Sequence, residues 1–423
     1  MNIPEKFIER MRDLPDFDEF VKCYDKPSLS GMRINRNKVI SKSIIEESLG
    51  SLMPVPWCEN GFYAGKDKLS GNDPLHMAGL IYFQEPSAMC AANMLPLADG
   101  DFVLDLCAAP GGKSTQIAEN KNITLVSNEI IPKRSRILSE NIERMGFSNT
   151  VVLNEAPEKL EKIFDGFFDK IIIDAPCSGE GMFRKEPAAI DAWSPEHVSS
   201  CAVRQRKIID SAMKMLSSGG AIVYSTCTFS KEENEDNVDY ILENYSYMKL
   251  IKTEKLYPHR VEGEGHFAAL LIDTREKIKT DRKAKVKTAS NEAIKLYKEF
   301  ENIFLNCTLD GKFVTFGENL YLLPEGIPTD GLKIVRAGLH LGECKKGRFE
   351  PSHALAKHLN KEDFKSSADY NRNDIEVIKY LHGETLSGDF SGFGVVTCEG
   401  LPLGWVKGSD GMLKNHFPKG LRL

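Results

Sequence analysis

The sequence has no long apolar run, no paired-cysteine motif and no internal repeat, and each absence narrows what the chain can be. No stretch approaches the run of about eighteen apolar residues that a membrane span needs. The opening Met1-Asn2-Ile3-Pro4-Glu5-Lys6 is too polar for a signal peptide. A cytoplasmic protein without a membrane partner is expected. Ten cysteines are scattered along 423 residues with no Cys-x-x-Cys pair, so neither a disulfide framework nor a metal site is expected, and most thiols should be reduced. A positive balance is also missing. The net charge of −6 argues against indiscriminate coating of nucleic acid, although a local basic face remains compatible with it. What is present, 41% apolar and 27% charged residues, is the composition of a soluble globular protein longer than one ordinary domain.

The most informative stretch is Asp174-Ala175-Pro176-Cys177-Ser178-Gly179-Glu180-Gly181. It follows Phe168-Asp169-Lys170-Ile171-Ile172-Ile173, an apolar β-branched run of the kind that forms a strand buried on both faces. That strand delivers an acid and a thiol to its C-terminal end, where open α/β sheets bind their ligands. A second run, Ala221 to Tyr224, ends in Ser225-Thr226-Cys227-Thr228. Two thiols offered from two strand ends point to covalent chemistry.

A cofactor site precedes them. The strand Phe102 to Leu106 leads into Cys107-Ala108-Ala109-Pro110-Gly111-Gly112-Lys113 and a helix from Ser114 to Glu119. Small residues and paired glycines let backbone amides approach a ligand closely. The next strand ends at Glu129, where doubly wound folds grip a ribose with a carboxylate. The dinucleotide fingerprint Gly-x-Gly-x-x-Gly is absent, so a small nucleoside cofactor, S-adenosyl-L-methionine, fits better than NAD. Strands and helices alternate to about residue 275 in the rhythm of a parallel, doubly wound sheet.

Four segments are expected. Residues 1–90 read as an N-terminal α+β RNA-binding unit in which Arg33, Arg36 and Lys38 lie on a solvated face or touch phosphates. Tyr82 to Met89 starts a helix into the next segment. Residues 91–275 form the alternating strand–helix core, 276–328 a basic linker with a small α/β unit, and 329–423 a final unit. The linker carries Arg275, Lys277, Lys279, Arg282, Lys283, Lys285 and Lys287, read as solvated or as an RNA contact. Phe183, Arg184 and Lys185 either meet RNA or form a surface loop with one packed aromatic. His197 is read as capping or packing a helix.

Three motifs carry a family likeness: Asp-Leu-Cys-Ala-Ala-Pro-Gly-Gly-Lys (105–113), Asp-Ala-Pro-Cys-Ser-Gly-Glu-Gly (174–181), and Tyr-Ser-Thr-Cys-Thr (224–228) with Glu-Glu-Asn-Glu (232–235). In this order they closely resemble the Sun/nucleolar-protein family of RNA cytosine-5 methyltransferases, over roughly residues 25–275. The tail, with Glu350-Pro351-Ser352-His353 and Lys414-Asn415-His416-Phe417-Pro418-Lys419-Gly420, resembles the PUA-like extension of the bacterial RsmF type. The resemblance implies an α/β fold: a Rossmann-like class I methyltransferase core flanked by a small α+β unit and by C-terminal α/β and PUA-like RNA-binding units. It implies S-adenosyl-L-methionine as cofactor and 16S rRNA or the small ribosomal subunit as partner. Transfer RNA as substrate, or a non-catalytic role in ribosome assembly, stays open at this point.

The need for two thiols can be stated chemically. Carbon 5 of cytosine is too weak a nucleophile to attack a methyl sulfonium until a thiolate has added to carbon 6. A free thiol is only about 3% ionised at pH 7, so the site must lower its pKa or take its proton. A second base must then remove the proton from carbon 5. By the resemblance, Cys227 is the nucleophile and Cys177 assists product release; Asp174 is expected to protonate or hydrogen-bond ring nitrogen 3, a general-acid role. The cofactor contacts that carry over are Cys107, Ala108, Ala109, Pro110, Gly111, Gly112, Lys113, Glu129 and Asp174. Where the family often has an aspartate near the adenine, this chain has Asn154 and Glu155 as substitutes.

Overall fold

Continuous apolar runs build an eight-stranded sheet through the centre of the molecule. Its strands are β1 (Phe102–Asp105), β2 (Thr124–Asn128), β3 (Thr150–Leu153), β4 (Phe168–Asp174), β5 (Leu216–Thr226), β6 (Met248–Leu256), β7 (His266–Asp273) and β8 (Ile334–Ala337). The computed structural model describes residues 3–38, 40, 45, 49–50, 52–64, 70–278, 282, 284 and 286–423. The strand order is 6-7-5-4-1-2-3-8. β1 to β5 are parallel, β7 pairs antiparallel with both β5 and β6, and β8 is antiparallel to β3.

Alternation along the strands divides the core into two layers. Leu104, Val126, Ile171, Ile173, Ile222 and Tyr224 face one, covered by helices Pro157–Ile163, Pro195–Met215 and Glu235–Asn244. Val103, Leu125, Val152, Ile172 and Val223 face the other, covered by Met89–Met94, Gly112–Ala118 and Pro132–Met145. Because the order reverses between β1 and β4, the loops following them diverge and leave a crevice. Among the described residues no helix is long and apolar enough to cross a membrane.

The N-terminal segment has two parts. Helices Glu5–Met11 and Phe17–Lys22 carry Phe7 and Phe20 into an aromatic cluster with Phe183, Trp193 and Phe229 from the core. A four-stranded antiparallel sheet follows, with Ser30–Ile34 between Gly61–Ala64 and Ile81–Gln84 and Met53–Pro54 at the edge.

Several expectations are corrected here. Residues 81–84 form a strand paired to 31–34, and the helix begins only at Met89. Arg33 is fully buried: it donates to Gln84, Glu119, the Gly112 carbonyl and Thr115. Lys38 is buried as well and donates to the Lys357 carbonyl. Arg36 alone of the three keeps an exposed side chain. In the linker, Lys277 and Arg282 pair with Asp169 at the start of β4, and Arg282 stacks on Phe102 and Phe167. These two cations strap the linker to the core. Lys279, Lys283 and Lys285 lie outside the described residues.

The expected boundary at 328/329 falls inside continuous structure. One four-stranded sheet joins Lys312–Phe316 and Asn319–Leu323 to Leu339–Lys345 and Arg348–Pro351, and β8 returns between them to the central sheet. The last sheet orders Ser367–Tyr370, Gly392–Cys398, Leu401–Ser409, Met412–Asn415 and Leu386–Ser387. Its apolar face shares a core with the N-terminal sheet, Met32, Leu75 and Ile81 packing with Tyr380, Leu403 and Val406.

Candidate active site

The C-terminal ends of β4 and β5 bring the two motif cysteines together, with Cys177 Sγ and Cys227 Sγ 3.2 Å apart. Their loops are tied backbone to backbone: Ala175 N donates to Ser225 O, and Gly181 N to Cys227 O, both at 2.8 Å. Gly181 has no room for a side chain, since a Cβ would stand 2.9 Å from the carbonyl oxygens of Cys227 and Gly265. Two buried acids complete the clamp. Glu180 accepts from Trp193 Nε1 and Phe229 N. Glu233 accepts from the backbone and hydroxyl of Ser178 and from Gln205 Nε2. Burial pushes Glu233 up to about 7 and raises Glu180 as well.

Charge at the site is set by neighbours. Asp174 stands beside the thiols, its Oδ2 2.7 Å from Lys113 Nζ and its Oδ1 accepting from Ser225 Oγ. Burial alone would raise its pKa, but the charge of Lys113 and the hydrogen bonds from Lys113 and Ser225 outweigh it and hold Asp174 below the usual carboxylate range. His266 Nε2 lies 3.8 Å from Asp174 Oδ1, but burial, aided by Lys113, lowers its pKa to about 3 and keeps it neutral. The hydrogen bond to Cys227, then burial and the Cys227 charge, drive Cys177 well above the ordinary thiol range. The protonated form of Cys177 is therefore favoured, and either sulfur can be the donor across the contact.

A cavity of about 560 Å³ opens onto this pair from the crevice beyond β1, β2 and β4. Cys107, Ala109, Glu129, Asp174, Cys177 and Cys227 line it. Ala108, Pro110, Gly111, Gly112 and Lys113 are not among its lining residues, and Gly111 supplies the turn into the helix at a φ of 114°. Asn154 does not line the cavity: its amide donates to the carbonyls of Glu129 and Ile130 and so fixes the loop that does. Glu155 is likewise taken, by Lys159 and the Lys333 amide. Ile130 and Ile131, 56% and 46% exposed, form the apolar wall there with Pro157. They offer a flat apolar ring the contact expected of Asn154.

Sequence reasoning missed Ile130, Ile131, Arg204, Lys207 and Glu233 as site residues. His197, Arg204 and Ile208 recur at helical spacing, and with Lys207 they line the far wall; that periodicity was a usable signal. Glu233 lies in the Glu-Glu-Asn-Glu run but reads as a helix-opening acid, whereas the helix begins at Glu235. Ser194, not His197, caps this helix, accepting from the His197 backbone amide, and His197 is itself among the cavity-lining residues. Phe183 and Arg184 are interior, Arg184 pairing with buried Glu264.

Models of four protein families match successive stretches of the chain. The model of 16S rRNA methyltransferase RsmB/F matches residues 92–272, and that of the RsmF N-terminal domain matches 3–86. The RsmF first C-terminal domain matches 299–359 and the RsmF PUA domain 367–423. Ribosomal RNA small subunit methyltransferase F of Vibrio vulnificus (strain YJ016) is 30% identical over 465 residues, covering 99% of this chain and 97% of the relative. The chain belongs to the RsmF family of 16S rRNA methyltransferases. The Vibrio cholerae (strain M66-2) relative is 33% identical over 412 residues, covering 85% of this chain and 84% of its own. Among solved structures, NSun6 from Pyrococcus horikoshii with SFG has a TM-score of 0.56 at 23% identity, covering 64% of this chain and 99% of that one. A methyltransferase homologue from the same organism has 0.55 at 23%, covering 64% and 100%. Both share the fold of the central sheet and its flanking helices. Like its family, the chain is an RNA methyltransferase that takes its methyl group from S-adenosylmethionine. The residues fit that cofactor: a carboxylate at the end of β2, an apolar wall beside it, and a cavity that runs on to the thiols.

Proposed function

We propose that this enzyme methylates carbon 5 of a cytosine in 16S rRNA through a covalent adduct on Cys227. The observation that carries the reading is the 3.2 Å contact between Cys227 and Cys177 in the cavity that also holds Asp174. Cys227 adds to carbon 6, turning carbon 5 into an enamine carbon able to accept a methyl group. S-adenosylmethionine supplies that group as a methyl sulfonium. Asp174, which Lys113 holds ionised, accepts from the 4-amino group of the base instead of acting as the general acid at ring nitrogen 3 that the sequence suggests. Glu129 orients the cofactor ribose, and Ile130, Ile131 and Pro157 hold its base.

Release follows from the coupling of the thiols. Once the Cys227 sulfur is bonded to carbon, the charge that holds the proton on Cys177 is gone. Cys177 then ionises more readily and removes the carbon 5 proton, which expels Cys227. The target base must first leave its stack at a cost of a few kcal/mol. Arg204 and Lys207 on the cavity wall suit the phosphates beside it.

The test supplies labelled S-adenosylmethionine with unmethylated 16S rRNA, small subunits and tRNA. Wild type should yield 5-methylcytosine in 16S rRNA and Cys227→Ala none, while Cys177→Ala should accumulate a protein–RNA adduct that survives denaturing electrophoresis. An adduct formed through Cys177, or normal turnover by Cys177→Ala, would refute the assignment of roles.

A further inference from the structure

Among the described residues, Cys177 and Cys227 are the one pair of cysteines in contact. Cys23, Cys58, Cys90, Cys201 and Cys398 are buried singly. A disulfide needs its sulfurs at about 2.05 Å, so this pair requires a shift of roughly 1 Å. Both residues sit beyond their strand ends, in loops whose backbones are already joined by Gly181 N to Cys227 O, and this joint keeps the two thiols side by side. Both sulfurs line a solvent-open cavity, so a small oxidant can reach them.

We infer that Cys177 and Cys227 are a site of reversible oxidation, at which a low-molecular-weight disulfide closes them into an intrachain disulfide. The closure stands on the geometry alone; its consequence, loss of methyl transfer, rests on the function proposed above. In the first step the Cys227 thiolate attacks one sulfur of the small disulfide, forming a mixed disulfide and releasing one small thiolate. Capping Cys227 removes the negative charge that holds the proton on Cys177. Cys177 passes its proton to solvent, attacks the Cys227 sulfur and expels the second small thiolate. Two protein thiols are oxidised, and one small disulfide is reduced to two thiols. The closed pair has no sulfur free to add to carbon 6. The demand that two thiols serve one carbon atom thus creates a pair that oxidants close.

The experiment incubates the full-length protein with oxidised glutathione, alkylates the remaining thiols, and maps peptides without reduction. The expected result is two fewer free thiols per chain, a Cys177 peptide linked to a Cys227 peptide, and methyl transfer lost in proportion and restored by dithiothreitol. Cys177→Ser should instead retain glutathione on Cys227. Wild type that keeps glutathione on Cys227 with Cys177 free, or that leaves both thiols open to alkylation, would overturn the inference. If the cross-link forms but no RNA gains 5-methylcytosine under reducing conditions, the oxidation site stands and the proposed function fails.

Discussion

Burial, more than any single contact, sets the protonation of the acids behind the site. Asp105, at the end of β1, accepts from Ser114 Oγ through Oδ2, while Oδ1 is buried without a partner. Burial is the leading cause that pushes its pKa up to about 7 from the ordinary 3.8. A carboxyl raised on folding contributes stability below its unfolded pKa and loses it as pH rises through the folded one. Wild type should therefore become less stable between pH 5 and pH 8, and Asp105→Asn, which mimics the protonated acid, should flatten that decline. Urea midpoints of the two proteins at both pH values measure it. Equal pH slopes would mean that Asp105 is ionised in the fold at neutral pH.

Between elements, the decisive feature is how closely the loop after β4 lies against the loop after β5. Gly181→Ala puts a methyl group against two carbonyl oxygens, an overpacking cost of about 1–3 kcal/mol. The larger expected effect is on methyl transfer, which should fall by more than the unfolding midpoint suggests because the sulfurs move apart. Single-turnover rates beside denaturation midpoints separate the two. On the helix Pro195–Met215, Arg204→Ala with Lys207→Ala should reduce the salt dependence of RNA binding by about 1 for each phosphate left without its cation. Cofactor affinity should be unchanged; a drop in it would place these cations at the cofactor instead. Much at this scale was legible in the sequence. The apolar runs of β1, β4 and β5, and the thiols and acid at their ends, needed only local periodicity and motif order. Arg33 was not legible, because its acid partner Glu119 lies 86 residues away and a cation in a short strand reads as surface. Asn154 misled in a similar way, since an amide at a strand end looks like a ligand contact until its carbonyl partners are known.

Across the whole molecule, β8 covers the outer edge of β3, so the central sheet is completed by residues far beyond the catalytic segment. A fragment ending at residue 290 should leave β3 unpaired and aggregate where the full chain stays monodisperse, because an open strand edge recruits other chains. Size-exclusion profiles at matched concentration decide it, and a monodisperse fragment would show that β8 is dispensable. The boundary expected at 328/329 failed for the same reason. Composition marks linkers, but it does not report a strand that crosses back to an earlier sheet. The shared core of the first and last sheets has a further consequence. Lys38 donates to the Lys357 carbonyl, Asp73 pairs with Arg372, and Met32 and Ile81 pack against residues near 380 and 403. During synthesis the opening segment therefore emerges long before its partners exist. Its apolar face waits for about 300 further residues to be translated, which makes this segment a stretch that chaperones should hold long.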